Sequence, residues 1–318
     1  MVRRGHETMA RCPITYEELA EGRSYSLRGL RLLDRRLADL KPLPLSAEEQ
    51  RQESLRRVGK MSVQGIQLKL SAVLKSKDQQ FEVVDRGGRF LLKPQSLDFK
   101  ELPENEDLTM RLARLVGIDV PLHALIRSKD GSLTYLIKRF DREGRNRVPV
   151  EDFAQLSGRT RDTKYDSSME KVAKVIDQFA TFPMLEKAEL FRRTLFSFLV
   201  GNEDMHLKNF SLISDSQKTT LSPAYDLVNS TLAMNGAREE LALPVRGKKS
   251  NLTRNDLVEY FAGEYLKLSE KLTHQIISEI EKALPSLLAL IGISFLSEES
   301  KVNYRQILRE RAERLQLK

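Results

Sequence analysis

The sequence predicts an α+β protein of two lobes, a small strand-rich one followed by a helical one. Three observations carry this. Between residues 67 and 94 the stretches "QLKLSAVL", "QFEVVD" and "RFLLKP" have strand character and are punctuated by the turn Arg86-Gly87-Gly88. Beyond Pro149 the apolar period becomes helical, with a buried-looking run "LFRRTLFSFLV" and closing segments at 253–268, 270–291 and 297–316. The 318 residues, 40% hydrophobic, suffice for two lobes. The expected divisions are a helical or extended opening segment over 1–60, the strand-rich lobe over 61–145 and the helical lobe over 146–318.

Taken in order, residues 13–50 read as short amphipathic helices interrupted at "KPLPL". The strands follow. Pro103 then opens a helix with Leu108, Leu112 and Leu115 on one face, and Gly117 ends it. "LTYLIKRFD" is another strand. Residues 151–180 are polar, with a loop at "SGRTRDTKYDSS", and 185–200 form the buried helix. "FSLIS" and "TTLSPAYDLV" pair as a small hairpin.

Composition excludes several classes. No apolar run approaches the ~20 residues of a membrane-spanning helix. The basic first residues lack the apolar stretch of a secretion signal. A single cysteine, Cys12, permits no internal disulfide and fits a reducing compartment, so the cytoplasm is expected. The four histidines are scattered, against a structural zinc site. Of the net charge of +8, residues 1–60 hold 13 Lys and Arg against 9 Asp and Glu, and residues 301–318 hold 6 against 2. The body between is neutral, so it offers no basic stripe for gripping DNA.

Four features follow one another along the chain. "MSVQGIQLKL" is a turn into a strand, and Gly65 would let backbone N–H groups close on a phosphate, making Ser62, Val63, Gln64, Gly65, Gln67 and Lys69 candidate nucleotide contacts. Lys93, ending "FLLK", is placed to neutralise phosphates, with Glu104 and Glu106 on the next helix as available acidic partners. "GNEDMHLKNF" puts Asp204 and Asn209 five residues apart, the interval at which an aspartate accepts a hydroxyl proton and an asparagine oxygen meets Mg²⁺. His206 and Lys208 share that loop and are candidate phosphate contacts. Asp226, in "SPAYDLV", supplies a hard carboxylate suited to Mg²⁺, or alternatively caps a following helix. Singly each feature has a bland reading; in this order they point to phosphoryl transfer from ATP.

The stretches "SVQGIQLKL", "RFLLKP", "ENEDLTMRLARLVGIDVP", "IKRFDR", "GNEDMHLKNFSL" and "LSPAYDLV" together resemble the HipA-type Ser/Thr kinases of bacterial toxin–antitoxin systems. The resemblance implies a kinase-like fold, with Asp204 as catalytic base, Asn209 and Asp226 on Mg²⁺, and Lys93 on the ATP phosphates. It also implies that the segment with Lys138, Phe140 and Asp141 receives adenine. An aminoacyl-tRNA synthetase would be the substrate, its phosphorylation halting translation. About sixty residues precede the phosphate loop, where full-length members carry about a hundred more. The short form is similar to the HipT kinase of three-part HipBST systems. It implies a small HipS-like antitoxin and a HipB-like DNA-binding protein as partners, with DNA reached only through the latter.

The same resemblance implies autophosphorylation in or near the phosphate loop. Ser62 is the first candidate. Ser54, in "RQESLRRVGK", is the second, because neighbouring arginines would receive a phosphate; its alternative is a solvent-facing helix residue. Two rival functions remain: a metal-dependent phosphohydrolase using the same side chains on water, and a catalytically inactive kinase-shaped binding module.

Overall fold

The computed structural model describes residues 10–58, 68–144, 146–234, 236 and 239–317. The phosphate-loop candidates Ser62, Val63, Gln64, Gly65 and Gln67 lie outside them. The chain forms two compact units, residues 1–97 with 122–138, and residues 98–121 with 139–318.

The first unit is built on a five-stranded antiparallel sheet. Its strands are β1 (Leu70–Lys75), β2 (Gln80–Val83), β3 (Phe90–Lys93), β4 (His123–Arg127) and β5 (Leu133–Lys138), in the order β2-β1-β3-β5-β4. Between β2 and β3 the turn at Gly87 needs φ +76°, which glycine adopts without strain. β4 is absent from the sequence reading. Four of its five residues are buried, so "HALIR" shows none of the alternation by which a half-buried strand is recognised.

The opening segment shares this core. Cys12, Ile14, Tyr25, Leu30, Leu37, Leu40 and Leu43 pack with Leu70, Ala72, Phe90, Leu92 and Leu136 of the sheet. Only part of it is helical. α1 (Leu27–Leu33) starts at Ser26, whose hydroxyl accepts from the Gly29 N–H, and α2 spans Ala47–Val58. Between them the "KPLPL" break runs along β4, the Leu43 N–H donating to the Arg127 carbonyl at 2.9 Å. α2 is clipped to the sheet by buried Gln50, which donates to Ser128 Oγ at 2.8 Å and accepts from Thr134 Oγ1 at 3.1 Å.

The second unit is mostly helical. It begins with α3 (Leu102–Leu115), which starts at the predicted proline, and Gly117 follows it at φ +82°. Although α3 lies between β3 and β4 in sequence, it belongs with the helices. After the two-stranded β6 (Arg142–Glu143) and β7 (Asn146–Arg147), a three-stranded sheet joins β8 (Val150–Asp152), β9 (Ser211–Ser214) and β10 (Thr219–Leu221) in the order β10-β9-β8. The predicted hairpin is β9–β10, and β8 is its unforeseen third strand.

The helices are α4 (Phe153–Leu156), α5 (Met169–Phe179), α6 (Pro183–Leu199), α7 (Ser230–Ala233), α8 (Glu270–Gly292) and α9 (Glu298–Arg314). The segment Asn255–Tyr265, expected as an α-helix, is π-helical. α6 buries Leu190, Phe191, Leu195, Phe196, Phe198 and Leu199, and this apolar load fixes the position of whatever follows its C-terminus. No helix among the described residues is long and apolar enough to cross a membrane.

Candidate active site

α6 ends at Leu199 with Val200 as its C-cap, and Gly201 turns the chain with φ +69°. An added Cβ there would stand 2.8 Å from Thr231 Oγ1, so the position requires glycine for both conformation and space. The next two residues hold the loop from beneath. Asn202 is fully buried, and its side-chain oxygen accepts from the Asp204 N–H at 3.1 Å. Glu203 accepts from Thr231 Oγ1 at 2.6 Å and from the Glu239 N–H at 3.2 Å. An acid at the end of a buried helix is therefore satisfied by α7 and its flank. Neither anchor was singled out from sequence.

Asp204 emerges from this base with its side chain 47% exposed. Asn209 sits on the 3₁₀ turn Leu207–Asn209 and donates its side-chain N–H to the Asp204 carbonyl at 2.8 Å. That bond uses one of the amide's two N–H donors, and the amide oxygen is the atom of this side chain able to ligate a cation. The D-x₄-N spacing thus closes into one loop.

Asp226 reaches the same loop by tertiary bonds. The Tyr225 hydroxyl donates to the Lys208 carbonyl at 2.9 Å and contacts Ser211 Oγ at 2.5 Å. Buried Arg193 of α6 donates to the Ser222 carbonyl at 2.8 Å, and Asn105 of α3 bonds both backbone groups of Asn229 at 2.9 Å. Asp226 itself has φ +55°, a left-handed backbone uncommon for a non-glycine residue. The cap of α7 is Asn229, whose side chain accepts from the Leu232 N–H, so Asp226 is not the helix cap.

The electrostatics are those of a compact charged cluster. Burial pushes the His206 imidazole below its usual value, and the attraction of Asp204, 3.9 Å away, only partly opposes this. His206 is 5% exposed, and its Nδ1 has no hydrogen-bond partner among the described residues. Lys164 is pushed down by burial and drawn up by Asp204 and Asp226. Lys208, expected on phosphate, pairs with Asp152 at 2.9 Å. Two carboxylates and an amide form no three-acid metal cluster, and none occurs among the described residues. This donor set fits Mg²⁺, which takes one or two carboxylates and completes its shell with nucleotide phosphate and water.

In the first unit, Lys93 closes β3 at 4% exposure, and its ammonium lies 5.6 Å from the ring centre of Tyr135, its register partner on β5. Lys138 is exposed at the end of β5, and Lys69 is exposed ahead of β1. In the second unit, Glu104 and Glu106 are buried on α3. Phe140 packs on Tyr225 with ring centres 5.6 Å apart, and Asp141 pairs with Arg139 at 2.6 Å and Arg142 at 2.5 Å. Burial raises the Asp141 carboxyl, but the two arginines outweigh it and hold the group low.

Ser54 is not the solvent-facing residue of the alternative reading. It is fully buried, and its hydroxyl donates to the Lys69 carbonyl at 3.0 Å. The arginines expected to receive its phosphate are engaged, Arg57 on Glu53 at 2.8 Å and on Asp85, Arg56 on Glu53, and Arg51 on the Gln95 carbonyl.

Residues 61–288 match the family model described as the HipA-like C-terminal domain. A Haemophilus influenzae protein named as a kinase is 31% identical over 85% of this chain and 87% of its own length. The chain belongs to the HipA-like kinase family. Within it, the Sinorhizobium fredii kinase-named protein Y4dM is 36% identical over 67% of this chain. The Ser/Thr kinase toxin HipA of Shewanella oneidensis is 28% identical over 54%. The chain spans 55% and 43% of those two relatives.

Among solved structures, HipA of Shewanella oneidensis, in complex with HipB and operator DNA, superposes with a TM-score of 0.68. It covers 93% of this chain and 79% of its own at 21% identity. The Helicobacter pylori proinflammatory kinase CtkA follows at 0.51, covering 71% of this chain and 86% of its own at 17% identity. The fold is the two-lobed, kinase-like α+β fold of these HipA-type proteins, with a small strand-rich lobe and a helical one.

Proposed function

We propose that the protein is an ATP-dependent serine/threonine kinase acting as the toxin of a bacterial toxin–antitoxin system. The observation that carries this reading is the closed Asp204–Asn209 loop with Asp226 fastened beside it through Tyr225 and Lys208. Asp204, half exposed, takes the proton of the acceptor hydroxyl as that oxygen attacks the γ-phosphorus. The Asn209 amide oxygen and the Asp226 carboxylate would hold Mg²⁺, which when bound neutralises charge on the nucleotide phosphates. Lys93 and the loop from Ser62 to Lys69 would bind the phosphates, and the backbone around Lys138, Phe140 and Asp141 would bind adenine.

The neighbour HipA is seen with HipB and operator DNA, and this supports a HipB-like partner through which this chain reaches DNA. The sequence resemblance supports a HipS-like antitoxin, an aminoacyl-tRNA synthetase as substrate, and autophosphorylation at Ser62. Ser54 would join Ser62 only if α2 moved to release its hydroxyl from Lys69. The neutral body and single buried cysteine agree with work in the cytoplasm.

The test is transfer of labelled γ-phosphate with Mg²⁺ in a bacterial lysate, comparing the full chain with Asp204→Asn and Asp226→Asn. Label on a protein band, lost in both variants, is expected. Label released only as free phosphate would replace the kinase by a phosphohydrolase. Equal silence of all three, after dephosphorylation of the proteins, would leave an inactive binding module.

A further inference from the structure

The polar loop of residues 157–168, which the sequence marks only as a connection, returns to the catalytic loop. The Tyr165 hydroxyl donates to Asp204 Oδ1 at 2.5 Å. The Leu207 N–H donates to the Lys164 carbonyl at 3.2 Å, which fastens the two loops together. The Tyr165 ring meets His206 edge-on with centres 5.0 Å apart, and the Lys164 ammonium lies 4.9 Å from the same ring.

A phenol used only for packing is normally buried. Tyr165 is 40% exposed and Asp204 47%, so the bond sits at the surface of the unit, where exchanging it for another hydroxyl exposes little new area. A carboxylate acting as base must accept a hydrogen bond from the hydroxyl it deprotonates. Tyr165 already makes that bond.

We propose that Tyr165 is a specificity-determining residue that stands in for the acceptor, its hydroxyl holding the place on Asp204 that a substrate serine or threonine must take. The inference rests on the kinase reading above. An acceptor polypeptide displaces the phenol only if its other contacts compensate for the lost bond. Weakly held hydroxyls, including water, are thereby turned away. The phenol's own ionisation is suppressed, by burial and then by the bond to Asp204, so it remains a donor across the physiological range. The Lys164 ammonium, drawn by both Asp204 and Asp226, lies against the Tyr165 ring.

The experiment compares the full chain with Tyr165→Phe and Asp204→Asn, using dephosphorylated casein as a weak probe acceptor at saturating ATP and Mg²⁺. Phenylalanine keeps the ring on His206 and removes only the donor. Expected is a fall in the casein KM of roughly tenfold or more, the worth of one hydrogen bond to a charged group, with kcat equal or higher. A wild type silent on casein beside an active Tyr165→Phe is the same result in stronger form. A Tyr165→Phe that gains nothing overturns the proposal, and so does an unchanged KM with a reduced kcat, which would make Tyr165 a positioning residue for Asp204. Amide exchange over residues 160–167 is expected to quicken in the variant, and unaltered exchange counts against the tether. Failure of the kinase reading is read separately, as transfer that survives Asp204→Asn.

Discussion

Asn105→Ala tests how α3 holds in place the segment that carries Asp226. Asn105 is 1% exposed, and Asn229 is fully buried. The Asn105 side chain donates to the Asn229 carbonyl and accepts from the Asn229 N–H, both at 2.9 Å. Alanine leaves the Asn229 N–H buried without this partner, at ~1–3 kcal/mol, and takes one of two donors from the Asn229 carbonyl, which keeps the Ala233 N–H at 3.2 Å, so the loss is about 2–4 kcal/mol. For a chain of this size that is a fall in melting temperature of roughly 3–6 °C. Because Asn229 follows Asp226 by three residues, phosphoryl transfer should fall further than stability alone explains. The assay is a urea titration followed by circular dichroism, with transfer measured at a temperature where the variant is folded. Thr109→Val is the comparison, since it removes the hydroxyl's contacts with Tyr304 at 2.9 Å and with Asn105 Oδ1 at 3.3 Å but keeps the Asn105 side chain itself. Asn105→Asp should not rescue, because it keeps the acceptor, loses the donor and buries a charge. A shift below ~0.5 kcal/mol for Asn105→Ala would refute the reasoning, since that is the ordinary range of surface substitutions.

Two further outcomes follow from local geometry. Gly201→Ala should cost ~2–4 kcal/mol, combining the left-handed backbone with a Cβ placed 2.8 Å from Thr231 Oγ1 and 3.0 Å from Asn229 Oδ1, and thermal melting should show it. Asp34 is held below the usual carboxylate range first by the Arg36 side chain, then by the Ser76 hydroxyl and the Arg36 N–H. Its folded pKa is depressed, so its contribution is full above about pH 4 and is lost as pH falls below that. Wild type should therefore exceed Asp34→Asn in stability near pH ~7, and the gap should close in acid. Urea midpoints across that range check the sign, and a gap that widens in acid would contradict it.

Much of the fold was legible because periodicity reports which side of a local element is buried. The strands β1, β2, β3 and β5, the buried α6, the start of α3 at Pro103 and the β9–β10 hairpin all carry that signal within a few residues. The Asp204–Asn209 interval was legible for the same reason, since both residues lie on one short loop. Gly201 was visible in the sequence, but its need for φ +69° and for empty space beside Thr231 was not.

What only tertiary structure decided involves partners far apart in the chain. The Tyr165–Asp204 bond joins residues 39 positions apart, and the Asn105–Asn229 bonds join residues 124 apart. No local period encodes such a pairing. β4 was hidden because burial on both faces erases alternation, and α3 was assigned to the strand lobe because it lies between two of its strands. Ser54 looked available among arginines, yet α2 turns it against Lys69. By itself the sequence determined most of the local elements and the short loop that carries Asp204 and Asn209. The packing of those elements determined what fastens Asp226 beside that loop and which hydroxyl Asp204 holds, because both depend on surfaces that exist only once distant segments meet.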